Sequence, residues 1–183
     1  MTGPDWRPTA SPETIRRRAA MLERARAHFA SERVVEVQTP LLSACAVSEP
    51  QIESIAALPA RGRPLYLQTS PEYAMKRLLA AGVGDCYQIC QAFRDGESGR
   101  LHNPEFTMIE WYRVGYDVAA MQRDVLRLVH AVIGELRTLA PARHVRYREA
   151  IAAACGLDCA TASPDEIAAL LRTHGVTPAT TTD

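Results

Sequence analysis

The sequence predicts an α+β fold in which capped amphipathic helices flank a sheet centred on a strand, loop, strand hairpin. Three observations carry this expectation. Apolar residues recur at helical spacing after Ser11-Pro12-Glu13 and again after Asp117. Tyr87–Phe93 and Phe106–Tyr112 are β-prone runs separated by the charged, turn-forming stretch Asp95–Asn103. The chain has 183 residues, 47% of them hydrophobic, enough to bury about 70% of its unfolded surface without a metal or disulfide staple.

Taken in order, Ser11 is an N-cap, Pro12 suits the first helical position, and Ile15, Ala19, Leu22, Ala25 and Phe29 form one apolar stripe of about five turns. Val34–Val37 is β-branched and short, and Pro40 ends it. Residues 43 to 64 show no period and read as a loop holding a short strand or turn. Leu65–Leu67 is a strand. Ser70 as N-cap and Pro71 as first helical residue open a second helix, which Gly82 stops. After the hairpin, Asp117 caps a helix carrying Val118, Met121, Val125, Leu128, Val132 and Leu136, ended by Pro141. Ser163-Pro164-Asp165-Glu166 is a capping box opening a last helix that Gly175 closes.

Lys plus Arg and Asp plus Glu number 21 each, so the formal net charge is zero. No overall basic field draws the chain to nucleic acid or a membrane surface. Lys76 is the single lysine, which reads as genome composition and assigns it no role. Five cysteines, with neither a basic nor an apolar leader in Met1–Trp6, read as a reduced cytoplasmic protein. Cys86/Cys90 and Cys155/Cys159 are four apart and lack the spacing of a zinc site. No apolar run approaches the 18 or so residues of a membrane span.

The chemistry concentrates in the hairpin. Strand alternation puts Phe106, Met108, Glu110 and Tyr112 on one face and Thr107, Ile109 and Trp111 on the other. A face mixing an aromatic ring, a carboxylate and a phenol is either solvent-facing with incidental charges or a site that pairs Glu110 with a cation. At about 3.3 Å per residue the run covers roughly 20 Å, enough to hold a base at one end and an ammonium at the other.

The segment Phe93-Arg94-Asp95-Gly96-Glu97, with Asn103-Pro104-Glu105-Phe106-Thr107, resembles motif 2 of class II aminoacyl-tRNA synthetases, and Val35–Leu42 resembles their motif 1. Leu67-Gln68-Thr69-Ser70-Pro71-Glu72-Tyr73-Ala74-Met75-Lys76-Arg77, together with Gly99–Asn103 and Glu110-Trp111-Tyr112-Arg113, is similar to the lysyl-tRNA synthetase paralogues that modify elongation factor P. The resemblance runs from about Trp6 to Asp183.

It implies a class II synthetase-like antiparallel sheet flanked by helices, incomplete at the C-terminus. Residues 1–183 would be the N-terminal portion of a catalytic domain with no anticodon-binding domain. The implied activity is ATP-dependent activation of (R)-β-lysine or lysine and its transfer to a lysine side chain of elongation factor P. Arg94 would be catalytic on the α-phosphate of ATP, where a guanidinium fork pairs phosphate oxygens. Asp95, Gly96 and Glu97 would belong to the ATP loop, Asn103 would contact the adenine and Phe106 would stack on it. Ser70, Pro71, Glu72, Glu110 and Tyr112 would bind the amino-acid substrate. His102 would order the loop. Motif 1 implies a homodimer.

The sequence departs from the family pattern in three places. Gly96 stands where motif 2 has its acid, which comes one place later at Glu97; Arg33 stands where a glycine commonly precedes motif 1. The glycine-rich motif 3 and the late carboxylates that hold Mg2+ are absent, so the metal ligands would lie beyond residue 183. Transfer to tRNA is the second reading, disfavoured by the missing anticodon module, and a noncatalytic synthetase-like binding module is the third.

Overall fold

The computed structural model describes residues 7–177. Met1–Trp6, read for a leader, and both ends of the family resemblance, Trp6 and Asp183, lie outside the described residues. The chain divides into two compact units, Met1–Leu139 and Ala140–Asp183.

Helix α1 (Pro12–Ser31) starts as its sequence dictates. Ser11 is extended at φ −65°, ψ 154°, and its Oγ accepts the Thr14 N–H at 3.1 Å. Pro12 fills the first turn, where a missing N–H costs nothing. At the other end the chain reverses through Arg33 at φ 58°, the one non-glycine at positive φ among the described residues. The Val34 N–H then donates to Phe29 O at 2.9 Å. A Cβ in this region costs about 1 to 2 kcal/mol.

Two small sheets follow. In the first, β1 (Val35–Glu36) runs parallel to β5 (Cys86–Phe93), which is antiparallel to β6 (Glu105–Tyr112). In the second, β4 (Leu65–Leu67) lies between β2 (Leu42–Ser43) and β3 (Ala56–Ala57), antiparallel to both. The expected hairpin is β5–β6, in register from Cys86↔Tyr112 to Phe93↔Glu105.

One face of β5–β6 builds the core. Tyr87 opposes Trp111 and Ile89 opposes Ile109; Ala25, Phe29, Val34 and Leu128 pack against them. Phe29 stacks on Tyr87 with ring centroids 4.1 Å apart and meets Trp111 at 5.8 Å. The Tyr87 hydroxyl donates to Glu36 at 2.8 Å, and burial together with that carboxylate pushes its pKa up to about 12.

Arg113, one residue past β6 and only 3% exposed, ties this unit together. Its guanidinium donates to Asp124 at 2.9 and 3.1 Å, to Glu32 at 2.9 Å and to Asp85 at 3.2 Å. Asp124 sits on α3 (Val118–Ile133), Glu32 caps α1, and Asp85 precedes β5. Burial alone would raise the Asp124 pKa, but hydrogen bonds from Arg113 and Trp111 more than offset it and hold the carboxyl below the usual range.

Two expected helix boundaries move. Helix α2 (Glu72–Ala80) has Pro71 as its N-cap, so Ser70 is not the cap and Pro71 is not the first helical residue. Pro71 sits at ψ 2°, outside the helical geometry, and the Ser70 Oγ only accepts a long 3.4 Å bond from the Glu72 N–H. Helix α3, capped by Asp117 Oδ1 on the Ala120 N–H at 2.7 Å, ends at Ile133, leaving Leu136 outside it. Gly134 is its C-cap, and glycine's poor helix propensity favours an end there.

The second unit holds α4 (Tyr147–Cys155), which the sequence reading missed, and α5 (Pro164–Thr173). The capping box at Ser163 and Glu166 forms in both directions, and Gly175 takes φ 72° after the helix end. No described helix is long and apolar enough to cross a membrane.

Arg113→Ala should destabilise the chain by about 3 to 5 kcal/mol in urea unfolding, because it strands the buried Asp124. Asp124 has a depressed folded pKa, so its contribution is present above the unfolded value of about 3.9 and is lost as pH falls through the lower folded one. Acid titration of stability should show that loss in the native chain and much less of it in Arg113→Ala.

Candidate functional site

The other face of the hairpin carries the site. Phe106, Met108, Glu110 and Tyr112 stand there opposite Ala92, Cys90, Gln88 and Cys86. The chain leaving β4 is fastened to this region: the Phe93 N–H donates to Gln68 O at 2.9 Å, and Gln68 Nε2 donates to Gln91 O at 2.9 Å and to Cys90 Sγ at 3.3 Å. These bonds bring the start of α2 to the strand face.

Four polar side chains gather at the Glu110 end. The Tyr112 hydroxyl donates to Glu110 Oε1 at 2.7 Å. Burial raises the Glu110 pKa; the Tyr112 bond pulls it down, the nearby Glu72 carboxylate raises it and Lys76 lowers it. On α2, Lys76 Nζ pairs with Glu72 Oε1 at 2.5 Å, one helical turn apart. The Tyr112 phenol is itself pushed far up, by burial first and then by Glu110. Glu110 is half-buried, and the Glu72 carboxylate acts on it through space.

Arg94 lies at the Phe106 end. Its guanidinium sits 5.2 Å from the centroid of the Phe106 ring, a cation–π placement. Its Nε donates to Thr69 O at 3.4 Å and its Nη1 approaches Glu97 Oε1 at 3.5 Å. The side chain is 24% exposed, and at 3.5 Å its contact with Glu97 is a long one.

The loop between the strands is organised by backbone. Asp95 N–H donates to Glu53 O at 2.9 Å, and the Asp95 carboxylate accepts from the Gly96 N–H at 2.9 Å. Gly96 has φ 72°, so the residue standing in the usual acid's place supplies a turn that a side chain would strain. Gly99 and His102 exchange backbone hydrogen bonds at 3.1 and 3.3 Å, closing the loop through main chain alone. Asn103 is exposed and makes no hydrogen bond among the described residues.

Ser70 and Glu72 also line an open cavity of 210 Å³, together with Tyr73, Arg77, Cys45 and Val47. Glu72 thus stands between this cavity and the Glu110 cluster. Among the described residues, no three His, Cys, Asp or Glu side chains converge as a metal-binding group.

Sequence reasoning missed Lys76 and Gln88. The Glu72/Lys76 spacing of four was a usable signal for the first. Gln88 is 2% exposed and its Oε1 accepts the Thr39 N–H at 3.1 Å, a partner 49 residues away that no local pattern shows.

The strand pair, the arginine at its loop and the acidic cluster at its far end thus share one face of the hairpin. Residues 4–169 match the family tRNA synthetases class II (D, K and N), and the chain belongs to that family. Among curated relatives, it is 42% identical over 175 residues to a protein of Pseudoalteromonas translucida (strain TAC 125) named elongation factor P–(R)-β-lysine ligase, covering 93% of this chain and 53% of that protein. It is 43% identical over 155 residues to the protein of the same name from Vibrio cholerae, covering 82% and 47%, and 47% identical over 133 residues to that of Vibrio campbellii, covering 70% and 41%. The chain spans about half the length of the curated relatives it matches.

Tyr112→Phe removes a hydrogen bond that favours the ionised Glu110, so Glu110 should titrate at still higher pH. A 13C-detected carboxyl titration reads this directly. The stability cost should be about 1 kcal/mol, that of one half-buried hydrogen bond.

Proposed function

We propose that this chain forms the ATP- and amino-acid-binding portion of a cytoplasmic ligase that activates (R)-β-lysine, or lysine, as an adenylate and transfers it to a lysine side chain of elongation factor P. The observation that carries the reading is one strand face with Arg94 against Phe106 at one end and the Glu110–Tyr112 pair at the other. Four residues of strand separate Phe106 from Glu110, about 13 Å. That is comparable to the reach from the base to the far amine of an extended lysyl adenylate.

In this reading the adenine stacks on Phe106 and meets Asn103, with the Asp95-Gly96-Glu97 turn beneath the phosphates. Arg94 exchanges its long contact with Glu97 for the α-phosphate. The substrate carboxylate attacks the α-phosphorus, the bond to the β-phosphate oxygen breaks, and pyrophosphate leaves. Arg94 offsets the negative charge that builds on the phosphoryl oxygens. Glu110, Tyr112, Glu72, Ser70 and the turn at Pro71 hold the substrate's amine end. The acceptor amine then attacks the acyl carbon, forming an amide and releasing AMP with a proton. Mg2+ would supply further positive charge on the phosphates, from ligands outside the described residues.

Two further features support the assignment. Val35, Leu41 and Leu42 in the motif 1 segment are 49, 40 and 44% exposed, suited to a homodimer contact. Zero net charge disfavours tRNA, whose affinity rests on a basic surface.

ATP/pyrophosphate exchange with β-lysine should be negligible for this chain and robust for one extended to the length of its relatives, because Arg94 alone charges one side of the phosphorus. Equal rates would show that residues 1 to 183 already hold a complete site. In the extended chain, Glu110→Gln should weaken amino-acid binding by about 2 to 5 kcal/mol with ATP binding little changed; parallel loss of both would remove Glu110 from the amine pocket. Given both acceptors, the extended enzyme should label elongation factor P, and efficient salt-sensitive labelling of tRNA would overturn the acceptor assignment.

A further inference from the structure

Building on the amine end proposed above, we propose that Gln88 is a positioning residue that passes one edge of β5 from the motif 1 segment to the segment carrying Ser70 and Glu72. Along that edge the main chain of β5 has two successive partners. The Val35 N–H donates to Asp85 O at 3.0 Å and the Val37 N–H to Tyr87 O at 2.8 Å. Parallel pairing advances two residues per rung, so the next donor, the Thr39 N–H, is due at Ile89 O. It goes instead to the side chain of Gln88, whose Oε1 accepts it at 3.1 Å. The Thr39 hydroxyl oxygen is buried with no hydrogen-bond partner among the described residues, so its polar tie to β5 is the Gln88 bond. The chain then leaves through Pro40 and enters β2 of the other sheet.

Further along the same edge of β5 its place is taken. Gln68 Nε2 donates to Gln91 O, and the Phe93 N–H donates to Gln68 O, both at 2.9 Å. Had the motif 1 ladder continued, it would occupy Gln91 and Phe93, and Gln68 would have no edge to bind. Gln88 ends that ladder at the point where the second partner needs the strand. It is 2% exposed and stands opposite Glu110 in register, so it acts through the two backbone segments and does not touch the substrate. A carboxamide suits the task, since its oxygen accepts a main-chain N–H as a peptide carbonyl does and adds no charge beside Glu110. Arg94 has support of its own from the Phe106 ring, and its bond to Thr69 O is long at 3.4 Å. Ser70 and Glu72 lie beyond the Gln68 tie and depend on it for their distance from Glu110. Loss of the branch therefore displaces the amine end and leaves the nucleotide end in place.

The first test follows amide hydrogen exchange by NMR in this chain and in Gln88→Met, which keeps the length of the side chain and removes the accepting oxygen. Exchange should quicken about tenfold at Thr39 and at Phe93, measured against Val37 and the amides of β6, because only the bonds at the branch open more often. A uniform rise at all of these amides would reduce Gln88 to general packing and overturn the proposal. A rise at Thr39 with none at Phe93, or no rise at either, would overturn it as well. Should Gln88→Met not fold, Gln88→Asn, whose amide stops one methylene short of Thr39, is read against the same outcomes. The second test uses the chain extended to the length of its relatives, in ATP/pyrophosphate exchange with β-lysine and with lysine. Gln88→Met should raise KM for the amino acid about tenfold and leave KM for ATP within about twofold, the split expected when one end of the site is displaced. Equal rises in both, or an unchanged amino-acid KM, would overturn the positioning role and leave the proposed function standing. A native extended enzyme that supports exchange with neither amino acid would overturn the proposed function and, with it, the role of Gln88 at an amine site.

Discussion

The buried guanidinium of Arg113 is the constraint on which the larger unit depends. It collects carboxylates from the end of α1, the turn before β5 and the middle of α3 at a point just past β6. Helix α1 is far in sequence from the other three, and short-range propensity cannot set its relation to them. Desolvating Arg113 is expensive, and the cost is offset because two of its three partners are further hydrogen-bonded and the third is ion-paired again: Asp124 also accepts from Trp111 at 3.0 Å and from Arg127 at 2.7 Å, Asp85 accepts from the Val114 N–H at 2.8 Å, and Glu32 lies 3.6 Å from Arg127. Such a network specifies one arrangement more than it adds stability. Here the arrangement it specifies is the register and tilt of β6 against both helices.

The functional face inherits that constraint through strand alternation. Ile109 and Trp111 point to the core with Phe29 and Tyr87; Glu110 and Tyr112 therefore point the other way. Glu110 is placed by its neighbours' burial as much as by its own contacts. The price of that placement is a carboxylate whose pKa burial pushes up, a mild instability of the kind expected where a charge waits for a partner. Arg94 is held in the same manner at the opposite end, by Phe106 beneath it and weak contacts to Thr69 and Glu97.

What the sequence made legible was whatever rests on nearest neighbours. The caps at Ser11, Asp117 and Ser163 each need only a side-chain oxygen three residues ahead of an amide, and all three formed. The β5–β6 hairpin was visible because its strands are eight residues long with turn chemistry between them. The strands β2 and β3 were not, since two residues carry no period. Parallel pairing of β1 with β5 was also hidden, because it links Val35 to Cys86 across a stretch that holds a second sheet. In the site, residue types and their face could be read, as could the Gly96 turn. The Lys76 field and the Gln88 anchor could not, for they depend on where α2 and the segment before Pro40 lie against the strands.

Arg33 shows how a local rule and a global one are reconciled in this chain. The turn after α1 needs a left-handed residue so that Val34 can bond back to Phe29 and β1 can enter beside β5. Glycine would satisfy it with no Cβ clash, yet arginine occupies the position at φ 58°. The strain, about 1 to 2 kcal/mol, is tolerated because the residues on both sides are fixed more strongly than the turn itself. Phe29 is held by stacking on Tyr87, and Glu32 by Arg113. A turn clamped at both ends cannot relax to a commoner geometry without giving up one of those contacts, each of which belongs to the core or to the ionic network. The direction in which β1 leaves α1 is thus determined by Phe29 and Glu32, and Arg33 adopts the conformation that remains.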